Sequence, residues 1–440
     1  MSAKKILAMP DGNWLAHVSR PFEVSKALRE MGHEVLFAGE GEYMKFPRKA
    51  GFPTLPIKTI EPDRVLECAR KGRTNAYDRN LLKECVKEDL KLFDKIMPDL
   101  VLGDLRASLG ISCRVSKVPL AITTNAAWTN YSSVKIRSIE HSGIGRLEKK
   151  ILGRRLSAWL GIPDRVKKLI TSIDGSPYRK LRKEMGLAPC RNICDAMEGD
   201  LNLLCDIPEY APTHNLPPNF HYVGPILWEP DVEPPSWLDN LSPERPTLYF
   251  TMGSTGHPRF FQKAIEIFGN TEYQCLVTTA GMADIKNAPE NFFITDYAPG
   301  NKIMEKSNVV ICHGGNGTLY QAMSRGVPII GIPTLWDQEL NLQRVVDLGI
   351  GVQLTELKFK PSHLVKAVEK ILTGKSYREN VQKFKRMLAN YNGAGKGAEL
   401  IHSYLDGSPK TTFQKAGAFK QGIVEQRPRT RQRKMSRNKL

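Results

Sequence analysis

Short apolar runs alternate with amphipathic stretches along most of this chain. Lys5-Ile-Leu-Ala-Met9 is the first run, and Pro10-Asp11-Gly12 breaks it, which predicts a strand followed by a loop. From Pro21 the apolar positions Phe22, Val24, Ala27, Leu28 and Met31 recur at helical spacing until Gly32 stops them. His33-Glu-Val-Leu-Phe-Ala-Gly39 reads as the next strand. Strand, helix and strand in this order make a βαβ unit, which implies a parallel sheet with ligands at the carboxyl ends of its strands. A helix near 80–96 and strands over 100–103 and 119–122 continue the pattern. Residues 131–185 read as mainly helical, and Ile193 to Leu204 returns to the sheet pattern.

The segment 206–246 is proline-rich and reads as a connection between domains, with the linker itself at 231–246. A second alternating set begins at Thr247-Leu-Tyr-Phe-Thr-Met252. It predicts helices over 259–269, 300–306, 317–325, 338–348 and 361–374, and strands over 273–279, 292–294, 309–312 and 327–332. The expected fold class is therefore α/β, with two doubly wound, Rossmann-like halves facing a cleft. The first half spans 1–230 and the second 247–375. Helices within 376–407 are expected to cross back to the first half. The polar, basic stretch 408–440 is expected to be disordered.

Composition narrows the class. The chain has 440 residues, 41% hydrophobic and 25% charged, which suits a soluble globular protein of two or three domains. No run approaches the roughly 18 apolar residues that span a bilayer. The first apolar run is too short for a signal peptide, so a cytoplasmic location is expected. Eight scattered cysteines without a CxxC pair suit a reduced compartment. Cys190 and Cys194 are either incidental thiols or part of a metal site.

The net charge of +18 is concentrated in two places. Residues 131–185 carry fourteen Lys/Arg against five acids, and residues 408–440 carry ten against one. In the first stretch Lys149, Lys150, Arg154, Arg155, Arg165, Lys167, Lys168, Arg179, Lys180, Arg182 and Lys183 alternate with Ile, Leu and Trp159. A basic helix with apolar spots suits an anionic membrane surface, and a solvated helical face is the alternative. The arginine-rich run within 427–434 has no folded nucleic-acid module beside it, so it is read as an electrostatic tether and no specific nucleic acid is expected.

The densest chemistry lies at His313-Gly-Gly-Asn-Gly-Thr318. Gly314, Gly315 and Gly317 allow a sharp turn between a strand and a helix, and the helix N-terminus beyond them offers free N–H groups to a diphosphate. An ordinary strand-to-helix turn is the competing reading. Met252-Gly-Ser-Thr-Gly256 places a second small anion-binding loop after the first strand of this half. Tyr297-Ala-Pro299 follows another strand, where the ring stacks a base or simply packs in the core.

The run from His313 to Gln321, then Gly-Val-Pro, then Pro333-Thr-Leu-Trp-Asp-Gln338, resembles the donor-binding signature of the UDP-glycosyltransferases of GT-B fold, which include plant, antibiotic and sterol glycosyltransferases. The resemblance covers most of 1–405 and is weakest over 125–245. It implies that His313, Gly315, Gly317 and Thr318 hold the diphosphate with help from Ser254 or Thr255. Tyr297 takes the place of a tryptophan that stacks on uracil, and the Ala298 backbone reads the base edge. Gln321 stands where a glutamate grips the ribose, which leaves UDP and dTDP both open. Asp337 and Gln338 match the pair that binds sugar hydroxyls. Asn316 sits within the seat at a position that varies.

The same resemblance implies a base in the first half: His17, in the loop after the first strand, where Ala16 replaces the usual glycine and Asp11-Gly-Asn-Trp14 lengthens the loop. Asp104 would orient it and stabilise its imidazolium. The implied reaction is an inverting displacement of a hexose from a UDP- or dTDP-sugar onto a hydroxyl of a hydrophobic or lipid-like acceptor. No acidic pair suited to Mg²⁺ is visible at the phosphate seat, so no metal and no cofactor beyond the nucleotide sugar are expected. A nucleotide-sugar epimerase of the same fold, or a non-catalytic binding protein with a tethering tail, is the alternative.

Overall fold

Strands covered on both faces by helices must be apolar throughout, which is why the runs above do not alternate with polar residues. The computed structural model describes residues 3–70, 75–134, 171–253, 257–355 and 360–407. In the first half, strands β1 (Lys5–Pro10), β2 (Glu34–Ala38), β3 (Thr54–Leu55), β4 (Leu100–Asp104), β5 (Leu120–Thr124), β6 (Leu201–Leu204) and β7 (Phe220–Tyr222) form one parallel sheet in the order β3-β2-β1-β4-β5-β6-β7. In the second, β8 (Thr247–Thr251), β9 (Gln274–Thr278), β10 (Phe292–Thr295), β11 (Val309–Cys312), β12 (Ile329–Gly331) and β13 (Gly351–Gln353) form another in the order β10-β9-β8-β11-β12-β13. Both are Rossmann-like sheets, as the alternation requires.

The helices are α1 (Leu15–Glu30), α2 (Pro62–Arg70), α3 (Arg79–Ile96), α4 (Leu109–Ser116) and α5 (Ser176–Glu184) in the first half. The second half contributes α6 (Arg259–Phe268), α7 (Gly300–Glu305), α8 (Asn316–Arg325), α9 (Trp336–Asp347), α10 (Pro361–Thr373) and α11 (Lys375–Leu388). The last, α12 (Gly393–Leu405), packs on α1: Ala398, Leu400 and Ile401 share a core with Val24, Leu28 and Phe37 of the first half. Within the described residues the chain thus returns to its starting domain after the second half.

Three expectations need correction. The first helix begins at Leu15 rather than Pro21, so His17 lies in its opening turn and not in a loop. Trp14 is still extended (φ −128, ψ 123) and Pro21 falls inside the helix. Proline has no N–H to give the carbonyl four residues back, that of His17, but the buried face of Val18, Phe22, Val24 and Leu28 holds the helix around it. Second, Ile193–Ala196 is a helical turn, capped by Asn192 Oδ1 accepting from Asp195 N at 3.0 Å, and only Leu201–Leu204 is strand. Third, 206–246 is not all connection. Phe220–Tyr222 is the edge strand of the first sheet, and Ile207, Tyr210 and Ala211 are buried in a core shared with α8 and α9.

Residues 135–170, most of the basic stretch, lie outside the described residues, as do Ser254, Thr255 and the tail 408–440. In the described remainder, Arg182 is 6% exposed and donates to the carbonyls of Ala188 (2.6 Å) and Gly110 (3.1 Å), so it is a packing cation rather than a surface one. No helix among the described residues is long and apolar enough to cross a membrane. All eight cysteines are free, and burial pushes the Cys194 thiol up to about 12.

Candidate active site

Parallel sheets present the carboxyl ends of their strands on one edge, and here the edges of the two sheets face one cleft of about 420 Å³. In the first half Asp104 ends β4, in register with Pro10 at the end of β1, and the Asp11 N–H donates to the Asp104 carbonyl at 3.0 Å. That pairing brings the loop after β1, and the first turn of α1, over Asp104. His17 Nδ1 lies 2.7 Å from Asp104 Oδ1. The contact orients the imidazole with Nδ1 toward the carboxylate, which leaves Nε2 for the cleft.

Arg20, one turn further along α1 and on the same face, donates from Nε to Asp104 Oδ2 (2.8 Å) and from Nη2 to Oδ1 (2.7 Å). Thr123 Oγ1, on β5, adds a second donor to Oδ2 at 2.6 Å. Asp104 is fully buried. Burial opposes its charge, but Arg20 and then His17 outweigh burial and hold the carboxyl below its ordinary range. The one mark of Arg20 in the sequence is its place three residues after the histidine, on the same helical face.

The second half supplies the opposing wall. His313 follows the last residue of β11 and opens the turn, and it is 4% exposed with Gly253 and Gly315 against its ring. A Cβ on Gly315 would stand 2.6 Å from His313 Nε2, so the backbone passes closer to the imidazole than any other residue permits. Gly314 has φ +94, in the left-handed region. Gly315 then caps α8 without a side-chain bond, and Asn316, Gly317 and Thr318, whose first-turn N–H groups have no partner within the helix, line the cleft.

Burial lowers the His313 imidazole to about 4, so in this form it meets the cleft neutral, as a hydrogen-bonding group rather than a cation. The unfolded chain binds its proton near the ordinary value, and the folded chain only near 4. Stability from this residue is therefore complete above about pH 6.5 and lost as the pH falls toward 4. We expect His313→Gln to flatten the decline of melting temperature between these pH values, which differential scanning calorimetry will show. The slope removed is at most about 1.4 kcal/mol per pH unit.

The remaining predicted donor positions among the described residues line the same cleft. Tyr297 is half-buried, donates its hydroxyl to the Ala280 carbonyl (3.1 Å) and carries Lys45 of the first half over its ring at 5.7 Å. Ala298 is buried behind it. Gln321 donates from Nε2 to the Trp228 carbonyl at 3.0 Å, so one end of its amide is held by the segment between the halves. Asp337, half-buried in the first turn of α9, is raised by enclosure in the cleft and pulled down by the backbone N–H groups around it and by His17 opposite. Gln338 is 1% exposed, and its Oε1 accepts from Thr334 N (2.8 Å), Thr334 Oγ1 (3.0 Å) and Leu335 N (3.1 Å). That oxygen shapes the turn that aims Asp337.

Several cleft residues have no sequence signal. Trp128 follows β5 and Trp336 opens α9, yet their rings meet across the cleft at 5.6 Å. The first-half wall also contributes an apolar set, Val65, Leu66, Ile193, Met197 and Phe220, beside polar residues such as Asn75 and Asn202. Glu198 lies in this wall with Oε1 lacking a hydrogen-bond partner among the described residues; burial, then Asp195, lifts its carboxyl to about 7. Asp206, 1% exposed, follows β6 and reaches both halves.

Residues 268–396 match the family model of the C-terminal domain of erythromycin biosynthesis protein CIII-like proteins. The chain is 33% identical over 383 residues to a PGL/p-HBAD biosynthesis glycosyltransferase of Mycobacterium tuberculosis, covering 86% of each. It is 34% identical over 378 residues to a PGL/p-HBAD biosynthesis rhamnosyltransferase of Mycobacterium bovis, covering 86% of this chain and 82% of the relative. Among solved structures, the spinosyn rhamnosyltransferase SpnG complexed with thymidine diphosphate superposes with a TM-score of 0.66 at 17% identity, over 91% of this chain and 99% of the other. The calicheamicin glycosyltransferase CalG4 gives 0.66 at 19%, over 92% and 99%. These two likenesses carry the fold, and the mycobacterial relatives carry the family. On both grounds the chain belongs to the family of glycosyltransferases built on the GT-B fold, and it is itself a glycosyltransferase.

Proposed function

We propose that the enzyme transfers a hexose from a UDP- or dTDP-sugar to a hydroxyl of an apolar acceptor, with inversion. The observation that carries this reading is the His17–Asp104 contact of 2.7 Å in a cleft whose other wall holds His313, the α8 N-terminus and Asp337. In the reaction, His17 Nε2 takes the acceptor O–H proton as the oxygen attacks the anomeric carbon. The bond from that carbon to the diphosphate oxygen breaks, and its electron pair leaves with the nucleotide. The N–H groups at the start of α8 and the neutral His313 receive the developing charge, so the reading calls for no metal ion. Asp337 accepts from sugar hydroxyls.

The apolar wall of Val65, Leu66, Ile193 and Met197, with Trp128 at its edge, supports an apolar acceptor. The relative named as a rhamnosyltransferase supports a 6-deoxyhexose among the sugars to test. Peripheral binding to anionic membranes is part of the reading on the charge of 131–185 and 408–440 alone. Flotation with anionic liposomes tests it.

The test of the main reading is a panel of UDP- and dTDP-hexoses with apolar phenols and alcohols. Released nucleoside diphosphate is measured, and the anomeric configuration of the product is read by NMR. Product with the anomeric configuration of the donor overturns inversion, and release only with water as acceptor overturns the apolar-acceptor assignment.

A further inference from the structure

The base pair of His17 and Asp104 has an electrostatic problem. Nδ1 of His17 carries one hydrogen at most, and its shorter contact is to Asp104 Oδ1 at 2.7 Å. Arg20 Nη2, 3.0 Å from the same nitrogen, is then a close cationic neighbour that directs its own hydrogen to Asp104. The guanidinium cancels the carboxylate charge that should stabilise an imidazolium. A cluster of only these three groups would become net positive when His17 takes a proton, in a place largely closed to water.

A second buried carboxylate lies on the far side of the same guanidinium. Asn125, just past β5, accepts from Arg20 Nη1 at 2.6 Å and donates to Asp206 Oδ2 at 3.2 Å. The N–H of Ala126 donates to the same oxygen at 2.7 Å. We infer that Asp206 is the charge that balances the protonated base. His17, Arg20, Asp104 and Asp206 together carry one net negative charge at rest and become neutral as the proton arrives. The inference rests on His17 being the base, and it makes Asp206 a positioning residue, since it acts through Arg20 and Asp104.

The other oxygen of Asp206 belongs to the donor side. Oδ1 accepts from Asn316 Nδ2 at 3.2 Å and from the Tyr320 hydroxyl at 3.0 Å, both on α8, and Tyr320 in turn accepts the Ile207 N–H at 3.1 Å. The balancing charge is thus fixed by the helix whose first turn receives the diphosphate. Proton acceptance in one half is coupled to the seating of the other.

Among the described residues, the charged or titratable groups facing His17 are Asp104 on β4, Arg20 on its own helix, Asp11 after β1 and Asp337 across the cleft. The thiol of Cys205, beside Arg20, is pushed up to about 12 and stays uncharged. Asp206 is one of the smaller influences on Arg20 and Cys205; without it Asp104 still holds the guanidinium charged and burial still keeps the thiol uncharged.

The test compares full-length wild type, Asp206→Asn and Tyr320→Phe. For Asp206→Asn the expected result is nucleoside diphosphate binding (UDP and dTDP, by calorimetry) within about threefold of wild type, kcat lower by roughly ten- to a hundredfold, and the acid limb of the kcat–pH profile moved to lower pH. Tyr320→Phe keeps the charge and loses a contact, so its acid limb stays in place. An unmoved acid limb in Asp206→Asn overturns the inference. So does a matching loss of nucleotide binding and turnover in both variants with no movement of that limb. If the asparagine variant does not fold, Asp206→Ser is the second charge-free variant, and failure of both marks a purely structural carboxylate, which also overturns it. His17→Ala separates the two readings: full activity there sinks the base assignment itself, whereas a dead His17→Ala beside an unaltered Asp206→Asn sinks only the role of Asp206.

Discussion

His17→Ala is expected to lower kcat by roughly 10²- to 10⁴-fold, the range that a positioned general base contributes. Binding of the donor nucleotide, measured by calorimetry, should change little, because His17 sits on α1 and the described diphosphate groups lie in the turn after β11 and at the start of α8. The side chain borders the cleft, so truncation widens that cleft rather than opening a closed cavity, and the melting temperature should hold. A variant that keeps most of its kcat would remove the base from the mechanism. Added imidazole provides a second readout, since a small base in the vacated space should restore part of the rate.

Asp104→Ala should cost both activity and fold. The side chain accepts from His17, Arg20 and Thr123 and is fully buried, so its removal strands the Arg20 guanidinium in the interior. Breaking a buried pair by removing one partner costs about 3–5 kcal/mol. Scanning calorimetry should show the first half unfolding many degrees earlier, at about 2–4 °C per kcal/mol for domains of this size. Asp104→Asn keeps an acceptor for Arg20 and should lose less stability, yet it loses the charge and should lose activity about as severely. The double replacement Arg20→Met with Asp104→Leu removes both charges and should regain stability relative to Asp104→Ala, while turnover stays low. Equal stability of Asp104→Ala and wild type would mean that the pair contributes nothing to the fold.

Much of the donor wall was legible in the chain. His313 to Thr318 is local: a strand, three glycines and a helix start lie within a few residues, so spacing alone specifies the turn. His17 and Asp104 were reachable only through the family resemblance, because a histidine after a strand has many ordinary uses. Arg20, Asn125 and Asp206 were not legible. Each follows a different strand or sits on a helix, and their side-chain contacts with Asp104, with one another and with Tyr320 span 81 to 114 residues of sequence. The misplaced start of α1 had a local cause. Proline is usually read as a boundary, and here the buried apolar face of the helix outweighed one missing hydrogen bond.

The sequence by itself determined the parallel sheets, their helices, the phosphate-type turn and the family, because hydrophobic periodicity and glycine spacing act over a few residues. Only the tertiary structure decided which carboxyl ends meet. The strand order β1-β4-β5-β6 sets Asp104, Thr123, Asn125 and Asp206 side by side, and the return of α12 onto α1 binds the halves together. It also decided charge. Whether a buried carboxylate serves His17 or is spent on Arg20 depends on distances of 2.7 to 3.2 Å between residues that no local pattern connects.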